Sequence, residues 1–143
     1  AAVLYNNKMI VLGGHTTNSP LATCEQYNEE SNTWSSFPSL NIARQSHGAC
    51  VLLGKIYVAG GDDFVSALRS TEVFSDNAWS ILTTPLTASR SYCVALNWNN
   101  NVVLLGGNRN FTDVYDPSAQ VWRDDLLPPM FEFRVWPSAV ALA

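Results

Sequence analysis

The chain has 143 residues, of which 47% are apolar and 14% are charged, and its formal net charge is −4. This composition is typical of a globular domain with a sizeable core, and it excludes a disordered tail. Twelve acidic residues and eight lysines and arginines are scattered along the sequence, without the basic stripe that nucleic-acid phosphates require. No apolar run approaches the roughly 18 residues of a membrane helix. We therefore expect neither nucleic acid nor a membrane as a partner.

The three cysteines, Cys24, Cys50 and Cys93, are odd in number and show no CxxC spacing. This pattern favours buried free thiols in a reducing compartment over a disulfide framework, because free cysteine is among the most buried residue types. The expected location is therefore cytoplasmic. The sequence does not begin with methionine, which suggests a processed or excised piece of a longer protein.

The chain opens with a segment that returns twice. AAVLYNNKMIVLGG at 1–14 matches the latter part of ARQSHGACVLLGKIYVAGG at 43–61 and of SRSYCVALNWNNNVVLLGG at 89–107. Each copy ends on a glycine pair, and in the two later copies an arginine stands 16 residues before the first glycine of the pair. The arginine of the first copy would lie before residue 1.

The remainder of each copy follows the same order. The glycine pairs recur with periods of 47 and 46, so the unit is about 45 residues long. After the pair come an acid-x-aromatic element and then a tryptophan, and a further arginine closes the copy. These elements are Glu25-Gln26-Tyr27, Glu72-Val73-Phe74 and Asp113-Val114-Tyr115, then Trp34, Trp79 and Trp122, and finally Arg44, Arg90 and Arg134.

Short apolar runs separated by Asn, Asp, Gly, Ser and Pro predict strands joined by turns, with helix nearly absent. In the second copy the predicted strands are 47–53, 55–60, 71–75 and 78–81, with a turn near Leu53-Gly54. The third copy predicts the same hairpin near Asn99-Asn100, because asparagine tolerates positive φ. A four-stranded unit repeated at this period indicates the blades of a β-propeller.

The order of arginine, apolar hairpin, glycine pair, acid-x-aromatic and tryptophan resembles the kelch repeat, and NIARQSHGACVLLGKIYVAGG resembles the version in animal BTB-kelch proteins. The resemblance covers almost the whole chain. It implies that each unit is one blade, with its first strand nearest the propeller axis and its last strand at the rim.

The expected fold is therefore all-β: a single partial kelch propeller domain, 1–143, of three four-stranded antiparallel blades and the first strand of a fourth. The repeats span approximately 1–43, 44–89 and 90–133, and a fourth begins at 134–143, where its strand is expected at 138–143. Three blades do not close a propeller. The chain needs either further blades of a longer parent protein, which we favour here, or a second copy that completes a six-bladed ring.

Physical roles follow for the repeated residues. The three arginines and the three acids are predicted to form partly buried charge pairs within or between blades. The tryptophans offer large areas for burial between sheets. Residues that recur in every blade serve the architecture that every blade shares, so function is expected in the loops that differ between copies.

Those loops follow each glycine pair and surround each arginine, and by resemblance to kelch domains that bind short peptides they line one propeller face. The candidate partner-binding residues are His15, Thr16, Gln45, Ser46, Asp62, Asp63, Ser91, Tyr92, Asn108, Arg109, Val135 and Trp136. Aromatic, arginine and amide side chains suit peptide recognition. The resemblance implies a non-catalytic protein-interaction module, either the substrate-recognition part of a ubiquitin-ligase adaptor or a cytoskeletal scaffold.

A kelch-type enzyme, such as a sugar-ring mutarotase, is the alternative. The sequence supports it weakly, because only two histidines, His15 and His47, are available as metal ligands and no known catalytic motif is present. His47 is expected to be a packed or channel-lining side chain, and Asp62-Asp63 and Asp124-Asp125 are expected to be solvated, unshifted loop carboxylates. We therefore expect neither metal nor cofactor. The segment 126–138 is either an apolar contact patch or, as we favour, part of the packing against a following blade.

Overall fold

The computed structural model describes residues 1–140, which form three sheets of four antiparallel strands. Hydrogen bonds join the strands of each sheet in chain order, so each sheet is a meander. Blade 1 contains β1 (Ala2–Tyr5), β2 (Lys8–Leu12), β3 (Cys24–Asn28) and β4 (Thr33–Phe37). Blade 2 contains β5 (Gly48–Leu52), β6 (Lys55–Ala59), β7 (Thr71–Ser75) and β8 (Ala78–Ile81). Blade 3 contains β9 (Cys93–Trp98), β10 (Asn101–Gly106), β11 (Asp113–Asp116) and β12 (Val121–Arg123).

This architecture confirms the predicted all-β propeller blades. The four strands of blade 2 begin and end within one residue of the predicted positions. Residues 1–140 contain no helix that is long and apolar enough to cross a membrane.

The first hairpin of every blade turns through two residues that both have positive φ. These residues are Asn6 and Asn7 in blade 1, Leu53 and Gly54 in blade 2, and Asn99 and Asn100 in blade 3. Positive φ at both central positions is the signature of the type I′ turn, whose twist matches that of the strands it connects. Both turns that the sequence predicts are therefore confirmed.

Apolar side chains fill the two junctions between blades. Side chains alternate along β6, so Ile56 and Val58 pack toward blade 1 while Tyr57 and Ala59 pack toward blade 3. β6 is consequently buried on both faces, because blade 2 lies between blades 1 and 3. Across the junctions the first strands of neighbouring blades contact each other, β1 with β5 and β5 with β9.

A buried arginine joins each pair of consecutive blades. The Arg44 guanidinium donates to the Gly60 carbonyl oxygen at 2.7 Å and pairs with Glu72 at 3.0 Å, while the Arg44 carbonyl accepts from the Gly14 N–H at 2.9 Å. The side chain is therefore anchored in blade 2, and the backbone in blade 1. The contact with Gly60 also explains why the arginine stands 16 residues before the glycine pair.

Arg90 repeats this arrangement between blades 2 and 3. Its guanidinium donates to the Gly106 carbonyl oxygen at 2.8 Å and lies 2.9 Å from an Asp113 oxygen, and its own carbonyl accepts from the Gly61 N–H at 2.8 Å. The contact with Asp113 is an oblique ion pair and not an aligned hydrogen bond. Thr87 donates to the other Asp113 oxygen at 2.6 Å.

The predicted charge pairs are thus confirmed for Arg44 with Glu72 and for Arg90 with Asp113, and both are more deeply buried than predicted. Arg134 and Glu25 are exposed, and neither forms an ion pair within residues 1–140.

The three tryptophans differ in how far they are buried between sheets. Trp122 is only 4% exposed because it packs in the junction between blades 2 and 3, and Trp79 is half-buried in the junction between blades 1 and 2. Trp34 is 49% exposed because it lies on the side of blade 1 that faces away from blade 2.

The chain after β12 continues as an irregular segment beside blade 3. Phe131, Phe133 and Trp136 are exposed in this segment, and the favoured packing of 126–138 against a following blade stays a prediction. Of the fourth-repeat strand expected at 138–143, residues 138–140 form no strand and residues 141–143 lie outside the described residues.

We predict that Arg90→Ala lowers the free energy of unfolding by about 3–5 kcal/mol, because it leaves the Asp113 carboxylate buried without its counter-charge. Burial raises the pKa of Asp113, so the neutral acid becomes accessible as the pH falls. The penalty should therefore be smaller near pH 4 than at pH 7. Urea unfolding at both pH values measures the effect. Arg123→Ala is the matched control, because Arg123 pairs with Asp125 on the surface and its removal should change the free energy of unfolding far less.

We also predict that Gly61→Ala destabilises the chain more than Gly14→Ala. Both glycines have positive φ, 89° and 107°, so alanine carries a similar backbone cost of about 1 kcal/mol at each position. An added Cβ at Gly61 would collide with the Gln45 carbonyl oxygen, whereas one at Gly14 meets no atom within 4 Å. The clash should add about 1–3 kcal/mol in urea unfolding. Equal losses would contradict the close approach of the two loops.

Candidate functional site

All the loops that were predicted to carry function lie at the same end of the blades. The register pairs Leu12 with Cys24 and Cys24 with Phe37, so the loop after β2 and the loop after β4 leave blade 1 at one end. The corresponding loops of blades 2 and 3 lie at the same end. We call this end, with its loops 13–23, 38–47, 60–70, 82–92, 107–112 and 124–137, the loop end.

Two of the predicted residues join neighbouring loops directly. Gln45 and Asp62 exchange backbone hydrogen bonds, each 3.0 Å long, and the Gln45 side chain donates to the Asp62 carboxylate at 2.8 Å. Beside them the His15 ring lies 5.9 Å from the ring of Phe64, a residue that the sequence analysis did not single out as a contact residue. Loops of blades 1 and 2 therefore share a continuous surface.

An aromatic pair lies at the junction of blades 2 and 3 on the loop end. The rings of Tyr92 and Trp136 meet edge to face with centroids 4.9 Å apart, and the backbone N–H of Trp136 donates to the Tyr92 carbonyl oxygen at 3.1 Å. Ser46 is adjacent, because its carbonyl oxygen accepts from the Cys93 N–H at 3.4 Å. Trp136 remains 73% exposed, which leaves most of its ring available for contact.

Ser46, Tyr92 and Trp136 share a backbone feature that the sequence analysis missed. Each stands two residues after an arginine, and their φ values are 53°, 56° and 49°. Left-handed backbone is uncommon for residues other than glycine, asparagine and aspartate, and it costs of order 1–3 kcal/mol for a bulky side chain. The constant distance of two residues from the arginine is the sequence signal that could have located this left-handed backbone. Strain of this kind is often retained where it positions a side chain for binding.

Two other predicted residues form their hydrogen bonds within their own loops. Thr16 bonds with Ser19 inside its own turn. Asp63 accepts hydrogen bonds from the Ser66 and Val65 N–H groups, and these bonds lower the pKa of its carboxyl group, contrary to the expected unshifted value. Both residues therefore shape a loop.

The remaining four candidates lie in the loops of blade 3 and in the segment that follows it. Ser91 and Arg109 are half-buried, whereas Asn108 and Val135 are exposed. The Ser91 carbonyl oxygen lies close to Gly107, so the loop that carries Ser91 is next to the loop that carries Asn108 and Arg109. Arg109 thus supplies a cation to the part of the loop end that also holds Tyr92.

His47 and the aspartate pairs are the side chains that an enzyme could use. His47 is 5% exposed, as a packed histidine should be, and burial holds its pKa well below the usual range, so the ring is neutral. Asp125 lies 2.9 Å from Arg123 on the surface, and this hydrogen-bonded contact lowers the pKa of its carboxyl group, again contrary to the expected unshifted value. Within residues 1–140, no three His, Cys, Asp or Glu side chains could hold a metal ion together.

The three cysteines are free and buried, as predicted. Burial raises the pKa of the Cys50 thiol to about 12 and that of Cys93 to about 11. Both thiols are therefore protonated near neutral pH and serve as small apolar side chains in the junction between blades 2 and 3.

Comparison with known families agrees with the blade geometry. The Kelch motif model matches residues 1–41 and 43–86, which together make up more than half of the chain. The chain belongs to the kelch-repeat family. Blade 3 lies outside the matched kelch ranges, but its buried arginine, its glycine pair and its four-stranded meander repeat those of blade 2.

Named relatives also contain kelch repeats. Human Kelch-like protein 23 is 28% identical over 146 aligned residues, covering 99% of this chain but 26% of that protein. Human Kelch-like protein 6 is 32% identical over 112 residues, covering 77% of this chain and 17% of that protein. An F-box/kelch-repeat protein of Arabidopsis thaliana is 30% identical over 141 residues, covering 96% of this chain and 36% of that protein. The chain thus spans about a quarter of the length of the first of these kelch relatives.

Proposed function

We propose that this kelch chain is a non-catalytic interaction module that binds a protein or peptide at its loop end. The observation that carries the proposal is the separation of the two kinds of residue. Arginines, acids and glycines that recur in blades 2 and 3 are buried in the scaffold, whereas the side chains that differ between copies are gathered at one end. Variable side chains on a rigid frame are the usual arrangement of a recognition surface.

The chemistry of the loop end suggests how such a partner would be held. Trp136 and Tyr92 form an aromatic anchor against which an apolar side chain of the partner can pack. Arg109 offers a fork of donors to a carboxylate or a backbone carbonyl. The amide of Gln45 and the hydroxyl of Ser46 add hydrogen-bonding groups on the side of the neighbouring blade. A peptide that combines an apolar residue with an acid fits these groups best.

Within this role, we infer that the chain is the substrate-recognition part of a ubiquitin-ligase adaptor, with a cytoskeletal scaffold as the second possibility. The name of the Arabidopsis thaliana relative supports the first, because it combines an F-box with kelch repeats. The buried free thiols support a reducing compartment such as the cytoplasm. We also propose that residues 1–143 belong to a single propeller domain.

The alternative of a sugar-ring mutarotase has less support. A catalytic acid or base must be accessible to substrate and must have a pKa near the working pH. His47 is buried and neutral, and the lowered pKa values of Asp63 and Asp125 keep both carboxylates ionised. Turnover of a free sugar that depends on one of these residues would favour the enzyme over the binding module.

A test of the binding module begins with selection of a displayed random dodecapeptide library on the purified chain. We expect Tyr92→Ala and Arg109→Ala each to weaken binding of the selected peptides about fivefold or more, because anchoring aromatic and arginine side chains contribute over about 1 kcal/mol at interfaces. Fluorescence anisotropy with each labelled peptide measures the change.

Matched controls are available elsewhere on the same blade. Trp98 is 46% exposed at the end of β9 remote from Tyr92, and Arg123 is 49% exposed on β12. Trp98→Ala and Arg123→Ala should leave peptide affinity within about twofold. The proposal fails if the control variants weaken binding as much as the variants of the loop end, or if no variant of the loop end weakens it.

A further inference from the structure

A cleft runs along the junction between blades 2 and 3, and we call it the junction cleft. Its volume is about 480 Å³, which is within the range of small-molecule sites. Residues of blade 2 and of the linker that follows it form one wall, and β11 with the turn after it forms the other. None of the candidate partner-binding residues of the loop end lines the junction cleft. An inference from it therefore does not rest on the proposed function.

Two buried tyrosines line the junction cleft. Tyr57 on β6 and Tyr115 on β11 are 5% and 3% exposed, and their ring centroids lie 5.9 Å apart. Within residues 1–140, the only side-chain hydrogen bond that a lining residue donates is from Ser80 Oγ to the Val73 carbonyl oxygen, at 3.5 Å. Both tyrosine hydroxyls are thus without a protein partner. Buried tyrosine hydroxyls normally have one, so this pair is available to a bound molecule.

The electrostatics of the junction cleft favour a negatively charged acceptor. Burial raises the pKa of Tyr57 and of Tyr115, so both phenols keep their protons near neutral pH and can donate hydrogen bonds. Lys55 stands two residues before Tyr57 and therefore projects from the same side of β6. It is the one charged residue that lines the junction cleft within residues 1–140, and it forms no ion pair there.

The pair of hydroxyls distinguishes this junction from the one between blades 1 and 2. In that junction Ile10 occupies the position of Tyr57, and Phe74 occupies the position of Tyr115. Neither has a polar atom in its side chain. Residues that serve the shared architecture recur in each blade. The two hydroxyls do not recur, so we assign them to a property of this junction and not to the scaffold.

The size of the junction cleft has a local cause. In the junction between blades 1 and 2 the rings of Tyr5 and Phe37 pack against Phe74, with centroids 6.0 and 4.6 Å away. The cavity beside them measures only about 200 Å³. Leu52 and Leu82 occupy the two corresponding positions next to blade 3. The smaller leucine side chains leave room for a ligand where the other junction holds aromatic rings.

A longer turn bounds the junction cleft on the side of blade 3. Four residues connect β11 to β12, whereas two connect β7 to β8. Pro117, Ser118 and Gln120 of the longer turn line the junction cleft. The Gln120 carbonyl oxygen accepts from Thr84 Oγ at 2.8 Å, which fixes the turn to the linker after blade 2. Both walls of the junction cleft are therefore held in place by the protein itself.

We propose that the junction cleft binds a small organic acid, whose carboxylate accepts from the hydroxyls of Tyr57 and Tyr115 and lies beside the ammonium group of Lys55. A carboxylate is purely an acceptor, as two unpaired donors require, and its single charge matches a single cation. An apolar body of the ligand contacts the apolar side chains of the walls. These side chains are Leu53, Val73, Ile81, Leu82 and Pro117.

The test uses benzoate, cinnamate and 2-naphthoate, each compared with its uncharged carboxamide, on the full chain. We expect at least one acid to bind with a dissociation constant of about 1 mM or lower, and its carboxamide to bind about tenfold or more weakly, because the amide lacks the charge. The chain has five tyrosines. In NMR spectra of chain labelled with ring-¹³C tyrosine, the acid should shift the signals of Tyr57 and Tyr115 and leave the other three in place.

Conservative variants remove the proposed contacts one at a time. Tyr57→Phe, Tyr115→Phe and Lys55→Gln should each weaken binding of the acid about tenfold, the usual contribution of a hydrogen bond or contact with a charged group. Each phenylalanine variant keeps the ring and removes a hydroxyl without a protein partner. Both should therefore melt at the temperature of the wild type or above it in circular dichroism.

Matched controls carry the same changes outside the junction cleft. Tyr27→Phe removes a hydroxyl that donates to Asn32 in blade 1, and Lys8→Gln changes the lysine that corresponds to Lys55. Both should leave affinity for the acid within about twofold. The proposal is overturned if every acid binds more weakly than about 1 mM, if acid and carboxamide bind equally, or if the cleft variants bind the acid no more weakly than the controls.

Discussion

A buried arginine guanidinium at each junction connects one blade to the next. Its side chain is bound to a carboxylate and a glycine carbonyl of one blade, and its backbone carbonyl is bound to a glycine N–H of the blade before. Burial of an arginine without these partners would cost several kcal/mol, so the pair and its hydrogen bonds form together or not at all. Because one arginine bonds to both blades, it fixes the position of the two neighbouring sheets relative to each other.

The buried arginine contacts of each junction also determine which loop residues are available for function. The arginine, the acid and the glycine pair fix the buried ends of two loops in every junction, and the residues between these fixed points are free to differ. The residue two positions after the arginine is held in left-handed backbone, and Tyr92 and Trp136 accept that conformation at some cost in energy. The buried pairs and the apolar junctions of the scaffold offset this cost and keep the two aromatic rings in position.

Much of the fold can be predicted from the sequence because the same motif occurs in three copies. The glycine pairs, the 16-residue spacing and the acid-x-aromatic elements each have a local physical cause, and the structure shows those causes as close backbone approach, a guanidinium contact and a buried carboxylate.

The features that the sequence did not reveal depend on tertiary context. Trp34 has the same sequence surroundings as Trp79, but only a neighbouring blade decides which of the two is buried. The association of His15 with Phe64 likewise requires two loops from different blades, and no pattern within either loop predicts it. The positive φ of Ser46 was hidden because the residue type gives no sign of it.

The central claim is that buried arginine–carboxylate pairs, and not apolar packing alone, set the junctions between blades. A double-mutant cycle on Arg90 and Asp113 tests it most directly, with Arg90→Met, Asp113→Leu and the double variant compared by urea unfolding. The account predicts that each single change is strongly destabilising and that the double variant recovers at least about 2 kcal/mol relative to the sum of the two. Strict additivity would show that the two side chains act independently, and would contradict the account.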